Sequence, residues 1–361
     1  MASSYRVDVY NRSGVRQAIL TDFVSLGYSM RVNDVGSALI TLDGSHWLIP
    51  MLQKDWILEI WRRPDGGSWG LEFTTLFEDI EWQFTDRPVA TLRCFGVISL
   101  LSRRIVAWYA NTASRSAFTG AKAETIAKTL VRYNLGAYAL ITNGRLCDGV
   151  MSGITFETDS GRGNTLDWYC AYDNLLYSLQ DLALVGGGDF SLDKVTVGNY
   201  RFTWHDGQLG ADLRSKLIFA MNMGNMANPS FSVYEQGAAF RAIVGGQGED
   251  NARQISVVDS AIRSTPDRDA ELFVDATDVE TSAGLQDRGN KALIENAPRT
   301  EFKFSIIQTP RSRYGIDYKL GDLVTAINPY NSANYSAKIV SVGIGFDNES
   351  AETITAEVAK I

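Results

Sequence analysis

The chain has 361 residues, 45% of them hydrophobic and 21% charged, a globular composition long enough for two or more separately cored domains. Its formal net charge of −8 disfavours the basic surface that gripping nucleic acid requires. No stretch reaches the roughly 18 apolar residues of a membrane helix, and Met1–Asp8 lacks the apolar core of a signal peptide, so folding in a cytoplasm is expected.

Tyr5, Val7 and Val9 alternate with Arg6, Asp8 and Tyr10, which predicts a half-buried strand; the turn Asn11–Gly14 leads to a second strand, Val15–Leu20. Leu26–Val32 and Ser37–Leu42 flank a turn at Asn33–Gly36. Trp56–Trp61 follows, then a turn at Pro64–Gly67 and strands over Leu71–Phe77, Ile80–Phe84 and Val89–Phe95. Short strands joined by Gly, Asn and Ser turns predict an antiparallel barrel or sandwich.

The middle changes period. Thr119 is placed to cap a helix from Ala121, with Ile126, Leu130 and Tyr133 as its apolar stripe and Gly136 at its end. A second helix is predicted over Thr165–Leu184, from the spacing of Trp168, Tyr172, Leu175, Leu176, Leu179 and Leu182, with Gly186-Gly187-Gly188 as terminator. Strands return at Tyr200–Trp204 and Lys216–Ala220. A third helix is predicted over Ser282–Asn296, with Leu285, Ala292 and Leu293 inward, and the rest of the C-terminal third reads as strands.

Few residues suggest chemistry. Cys94, Cys147 and Cys170 form no Cys-x-x-Cys pair, and His46 and His205 are too few for a histidine-rich metal site. Glu78, Asp79 and Glu81 cluster, but read best as a solvated strand face. His205 lies beside Asp206 without a Gly-x-Ser-x-Gly elbow, and Asp206-Gly207 reads as a hairpin turn containing it. Gly186–Gly188 and Gly245-Gly246-Gln247-Gly248 lack the Lys-Ser/Thr ending of a phosphate loop. Asp275, Asp278 and Glu280 lack the spacing of a calcium loop and read as carboxylates ahead of a helix. Trp56, Trp61, Trp69, Trp82 and Trp108 concentrate in the first strand region, as core or as interface anchors. No catalytic, cofactor-binding or metal-binding residue is assigned, and an enzyme is not expected.

The two ends of the chain echo each other. Leu52–Ile60 reads like Tyr318–Ile327, each with an aspartate opening an apolar strand. Ile80, Trp82 and Phe84 match Val342, Ile344 and Phe346, and Leu92 and Cys94 match Ile354 and Ala356 at the same step. Duplication of one β-barrel explains this, although period-two alternation makes unrelated hairpins look alike. Two similar barrels per chain, repeated three times about an axis, would present a six-fold face from a three-fold protein.

Beyond this pattern, the sequence resembles the tail-hub, or baseplate-hub, family of long-tailed bacteriophages. The resemblance is carried by Tyr5–Tyr10 with Leu20–Leu26, by Val32–Ala38, and by Asp212–Ser215 leading to Leu217–Phe219 and Gly224–Met226. Gly245–Glu249 with Arg253, Glu271–Ala276, the helix around Leu285–Glu295, and Asp317–Val324 complete it. Phe240 departs from the pattern, standing where the family has an asparagine.

The resemblance implies a mainly β fold with α/β insertions, two similar antiparallel β-barrels per chain, and a trimeric pseudo-six-fold ring. The expected division is a first barrel domain over 1–104, an α/β insertion over 105–199 and returning strands over 200–255. A second α/β insertion over 256–299 and a second barrel over 300–361 follow. The implied role is a structural hub at the virion tail tip, closing the tail tube and assembled in the host cytoplasm. Its partners would be two further copies, the distal tail or tube protein, tail fibre or tip proteins and the tape-measure protein, with DNA passing through unbound and no cofactor. Acidic side chains along the axis would let that DNA slide. A contractile-injection hub, a glycan-binding tail module and a cell-wall-degrading tail protein are the alternatives.

Overall fold

The computed structural model describes residues 3–64, 67–84, 86–107, 116–145, 147–149, 151, 153–262, 269–347 and 352–360. Trp108, and Asp65 and Gly66 of the expected turn, lie outside the described residues. The chain opens with seven strands: β1 (Ser4–Tyr10), β2 (Arg16–Leu20), β3 (Ser25–Arg31), β4 (Ser37–Asp43), β5 (Ile57–Arg63), β6 (Gly70–Gln83) and β7 (Val89–Gly96). A mixed segment follows: α1 (Ser99–Ser102), β8 (Ser116–Lys122), α2 (Ala123–Asn134), β9 (Ile154–Phe156), β10 (Thr165–Cys170), α3 (Leu175–Gly186), β11 (Gly188–Thr196) and β12 (Asn199–Asp206). Next come β13 (Ile218–Phe219), β14 (Met226–Tyr234), β15 (Arg241–Gly245), β16 (Ile255–Asp259), β17 (Glu271–Asp275) and α4 (Ser282–Glu295). The last strands are β18 (Arg299–Ile306), β19 (Leu323–Ile327), β20 (Asn334–Asp347) and β21 (Thr353–Lys360).

Four local expectations need correction. Leu71–Phe77 and Ile80–Phe84 are one bent strand, because a bulge between Phe77 and Asp79 turns the chain without a loop. The helix expected from Thr165 begins only at Leu175. Leu166 and Trp168 lie in β10, and Tyr172 adopts a positive φ of 60° that no helix accommodates. Asn174 caps α3 by accepting the Leu176 N–H at 3.0 Å, and Gly187 ends it at φ 69°. Thr119 lies in β8 and caps nothing; the first N–H groups of α2, from Ala123 and Glu124, donate to the Asn164 and Arg162 carbonyls instead. His205 sits within β12 rather than in a turn. At α4, the predicted helix stands, with Thr281 accepting the Gly284 N–H at 3.0 Å.

Thirteen of the strands form one sheet, with path β14-β18-β21-β20-β3-β4-β7-β6-β5-β1-β2 and β19 and β13 joined beside β20. Among the described residues this sheet does not close into two separate barrels. It contains instead the same four-strand unit twice: β4-β7-β6-β5 and β18-β21-β20-β19. The likeness extends to single hydrogen bonds. Asp55 N–H donates to Phe77 C=O and Phe77 N–H to Trp56 C=O; Gly321 N–H donates to Ile339 C=O and Ile339 N–H to Asp322 C=O. Each unit bulges just past that residue, between Phe77 and Asp79 and between Ile339 and Ser341. Asp55 and Gly321, at matching places, both have positive φ, 66° and 86°. A strand unit is therefore repeated, in place of the two β-barrels expected from sequence, with β6 and β20 aligned as expected. The last strand is offset by two residues: Leu92 pairs with Ile80, and its counterpart pairing with Val342 is Ala356, not Ile354.

Both units share one apolar core, from Tyr5, Val7 and Leu42 to Phe304, Ile339 and Val358. A second core lies among α1–α3 and β8–β12, around Leu130, Leu179, Phe202 and Trp204, and a third between the β15-β16-β17 sheet and α4. A buried ion pair bolts the units together. Arg62 on β5 donates to Glu352, just before β21, at 2.7 and 2.9 Å, and to the Tyr314 carbonyl at 3.2 Å. The Tyr5 hydroxyl also donates to Glu352. Burial alone would raise the Glu352 pKa, but the bonds from Arg62 and Tyr5 outweigh it and hold the carboxyl below its ordinary value.

Two stability predictions follow from this packing. Arg62→Met leaves a buried carboxylate uncompensated and is expected to cost about 3 kcal/mol, measured by urea unfolding at neutral pH. The gap between parent and variant is full where Glu352 is ionised in both folded proteins, and shrinks as pH falls through the variant's Glu352 value, moved up by loss of the guanidinium, toward the parent's lowered one. Gly321→Ala puts a Cβ within 2.7 Å of Leu209 at a φ of 86°, and is expected to lower stability by more than about 1 kcal/mol in the same assay.

Candidate functional site

The residues that could carry chemistry are engaged within the chain. Glu78 sits at the β6 bulge and pairs with Lys54 and, at 2.8 Å, with Arg103, while Glu81 pairs with Arg93 on β7. These carboxylates bind cations of their own chain rather than facing each other across a cleft. His205 Nε2 lies 2.8 Å from Ser191 Oγ, and that hydroxyl donates to Asp193 at 2.9 Å. The carboxylate thus engages the serine and not the far side of the imidazole, so the histidine is not oriented as a base. Burial lowers the His205 pKa despite the neighbouring Asp193 and Asp189.

The glycine-rich turns have local causes. Arg253 donates to the Gly245 and Gly246 carbonyls at 3.2 Å each and to Asp275 at 2.5 Å. A Cβ on Gly245 would meet that guanidinium at 2.7 Å and push it aside. The turn presents carbonyl acceptors to a cation, the reverse of what a phosphate requires. Gly188 is needed because a Cβ there would lie 2.6 Å from buried Trp204. Phe240, at the departure from the family pattern, holds its place by backbone bonds: its N–H donates to Ala270 and its carbonyl accepts from Ser260.

Asp278 pairs with Arg288 at 2.8 Å. Among the described residues no group of three or more His, Cys, Asp or Glu is arranged to hold a metal ion. Burial pushes the Cys94 and Cys170 thiols up to about 12, while Cys147 is exposed. No helix among the described residues is long and apolar enough to cross a membrane.

The tryptophans divide by environment. Trp56 is buried, and Trp61 and Trp69 each lie 5.0 Å from the Arg6 guanidinium. Trp82 is 41% exposed and its ring stacks at 8° on Phe84, itself 81% exposed. Trp82 projects from the core-facing side of β6, opposite buried Ala90 and next to half-buried Ile80, and Phe84 follows the end of the strand.

The backbone there is open as well. β6 pairs with β5 only as far as Leu76, and over Asp79–Gln83 it pairs with β7 alone among the described residues. A second open edge lies at one end of the sheet path. Among the described residues β14 pairs with β18 alone, and Phe231, Val233 and Tyr234 on it are 36%, 54% and 47% exposed. Open edges bearing aromatic and β-branched side chains are adhesive, and monomers normally blunt them. Sequence reading singled out Trp82 but not its edge, because strand neighbours are not written in one strand's residues.

The shape of the chain recurs in solved structures. It matches the tail protein from Neisseria meningitidis MC58 with a TM-score of 0.61 and 11% identity, over 99% of this chain and 97% of that one. It matches the 43 kDa tail protein of prophage MuSo2 from Shewanella oneidensis with a TM-score of 0.62 and 13% identity, over 99% and 98%. A chain of the Francisella PdpA–VgrG complex in its half-lidded form matches with a TM-score of 0.51 and 9% identity, over 99% of this chain but 58% of that one. At such identities the likeness is one of fold. No curated protein matches the sequence. The family model described as Siphovirus ReqiPepy6 Gp37-like protein matches residues 6–358, nearly the whole sequence, and the chain belongs to this family of siphovirus proteins.

Proposed function

We propose that this tail protein is the hub of the tail tip, three copies around the tail axis closing the distal end of the tube. The observation that carries the proposal is the duplicated four-strand unit, equivalent down to the bonds at Phe77 and Ile339. Three chains with two such units each would offer six near-equivalent faces, matching a six-fold tube to a three-fold tip. In this reading residues 1–104 and 300–361 form the ring, and the α/β segments over 105–199 and 256–299, linked by 200–255, stand outside it. The ring would meet the distal tail or tube protein on one side, fibre or tip proteins on the other, and the tape-measure protein within. Its trimer interface would exceed the roughly 2,000 Å² at which obligate interfaces begin.

The role is structural rather than enzymatic, which fits a chain whose Glu78 and Glu81 are paired with Arg103 and Arg93. With a net charge of −8, an acidic lumen would pass DNA without binding it. The fold likeness to a chain of a VgrG complex favours one second reading, the hub of a contractile injection system. A sheath gene beside this one, without capsid genes, would select that reading.

Electron microscopy of assembled tails carrying a gold-labelled version of this chain tests the assignment. Label is expected in a single ring at the tail end away from the capsid. Label along the tube or at the capsid end would remove the hub reading.

A further inference from the structure

We propose that β14 of one copy pairs antiparallel with the open edge of β6 of the next copy, with Phe231 opposite Trp82 and Val233 opposite Ile80. The proposal deepens the hub reading and rests on it for the number of copies, but not for the pairing itself.

The chain contains the template for this contact. Within one copy, β3 closes the edge of β20, placing Tyr28 opposite Ile344 and Met30 opposite Val342. Followed across the sheet, that row reads Ile344, Tyr28, Ala38, Cys94, Phe77. The same row in the second unit reads Phe231, Phe302, Val358, Ile339, with nothing before Phe231 among the described residues. The vacant place corresponds to Ile344. The residue equivalent to Ile344 in the first unit is Trp82, since the bulges align Phe77 with Ile339. Trp82 is on an open edge.

Burial points the same way. In the closed contact Tyr28 and Ile344 are 4% and 3% exposed, whereas Phe231 and Trp82, their counterparts, are 36% and 41% exposed. The same holds one pair along: Met30 and Val342 are buried, while Val233 is 54% exposed and Ile80 half-buried. Apolar side chains therefore occupy the core-facing side of both edges, as they do where β3 meets β20. Joining the edges would satisfy their backbone N–H and C=O groups and add aromatic cross-strand pairs. Donor and acceptor strands differ, so the contact runs head to tail and either closes into a ring or continues as a filament.

Cross-linking tests the register. Ser232 and Glu81 come opposite each other one row along, where Ser29 meets Gly343 within the chain. The full-length protein would carry Glu81→Cys and Ser232→Cys, with exposed Cys147→Ser, and be treated with a short bifunctional thiol reagent. Dimer and trimer bands ending at the trimer on a denaturing gel are expected, and neither single-cysteine protein should give them. A trimer by light scattering that fails to cross-link overturns the pairing and leaves the hub reading intact. Bands running past the trimer keep the pairing and overturn the three-copy ring. Monomer at every concentration overturns both.

Trp82→Glu supplies an independent reading. Because Trp82 is exposed in the single copy, this change is expected to leave the monomer's melting temperature within a few degrees of the parent's while abolishing the trimer. An unchanged trimer would count against the contact.

Discussion

The backbone ladder between β3 and β20 is the contact on which the rest of the structure depends. It joins a strand from the start of the chain to one near its end, from Arg31 opposite Ser341 to Ser25 opposite Asp347. Without it the two β units would be separate sheets, each with an exposed apolar flank. With it they become one surface over one core, and Tyr28, Met30, Val342 and Ile344 are taken out of water together. Such a contact between distant parts of the chain carries a large loop-closure cost, which side-chain burial along the whole ladder must offset.

Polar groups then lock the geometry that the ladder sets. The Arg62–Glu352 pair ties β5 to the start of β21, with Tyr5 and Tyr314 completing the shell. Asp189, almost wholly buried, accepts from Lys338 on β20 at 2.7 Å, from Asn33 in the β3–β4 turn at 2.8 Å and from the Leu209 N–H at 2.7 Å. One carboxylate thus connects the β11 hairpin to both units at their junction. Glu59, fully buried on β5, pairs with Lys194 on β11 at 2.5 Å. Buried charges of this kind contribute little net stability but penalise misplacement, so they specify how the α/β segment sits on the sheet.

In the proposed role, this arrangement would serve a structural component. Glu78 and Glu81 are spent on internal pairing, and the adhesive features lie at two open strand edges, part of β6 within the sheet path and β14 at its end.

Much of this was legible in the residues. Alternation located the strands of the first hundred residues, and the Ile80-Trp82-Phe84 echo of Val342-Ile344-Phe346 revealed the duplication. Helical spacing misled at Trp168 and Tyr172, because a strand followed by a helix can mimic one periodic stripe when both bury their apolar side against the same core. The frame of β7 against β21 was misjudged by two residues, since alternation repeats at that step and only the pairing partners distinguish the two frames. Local sequence thus determined the strands of the first hundred residues and which side of each is apolar, and pointed to a unit occurring twice. Tertiary structure alone decided that β3 closes β20, and that Trp82 and Phe231 are left at the sheet's edges. Strand pairing is a relation between distant segments, settled by burial and backbone hydrogen bonding across the whole sheet.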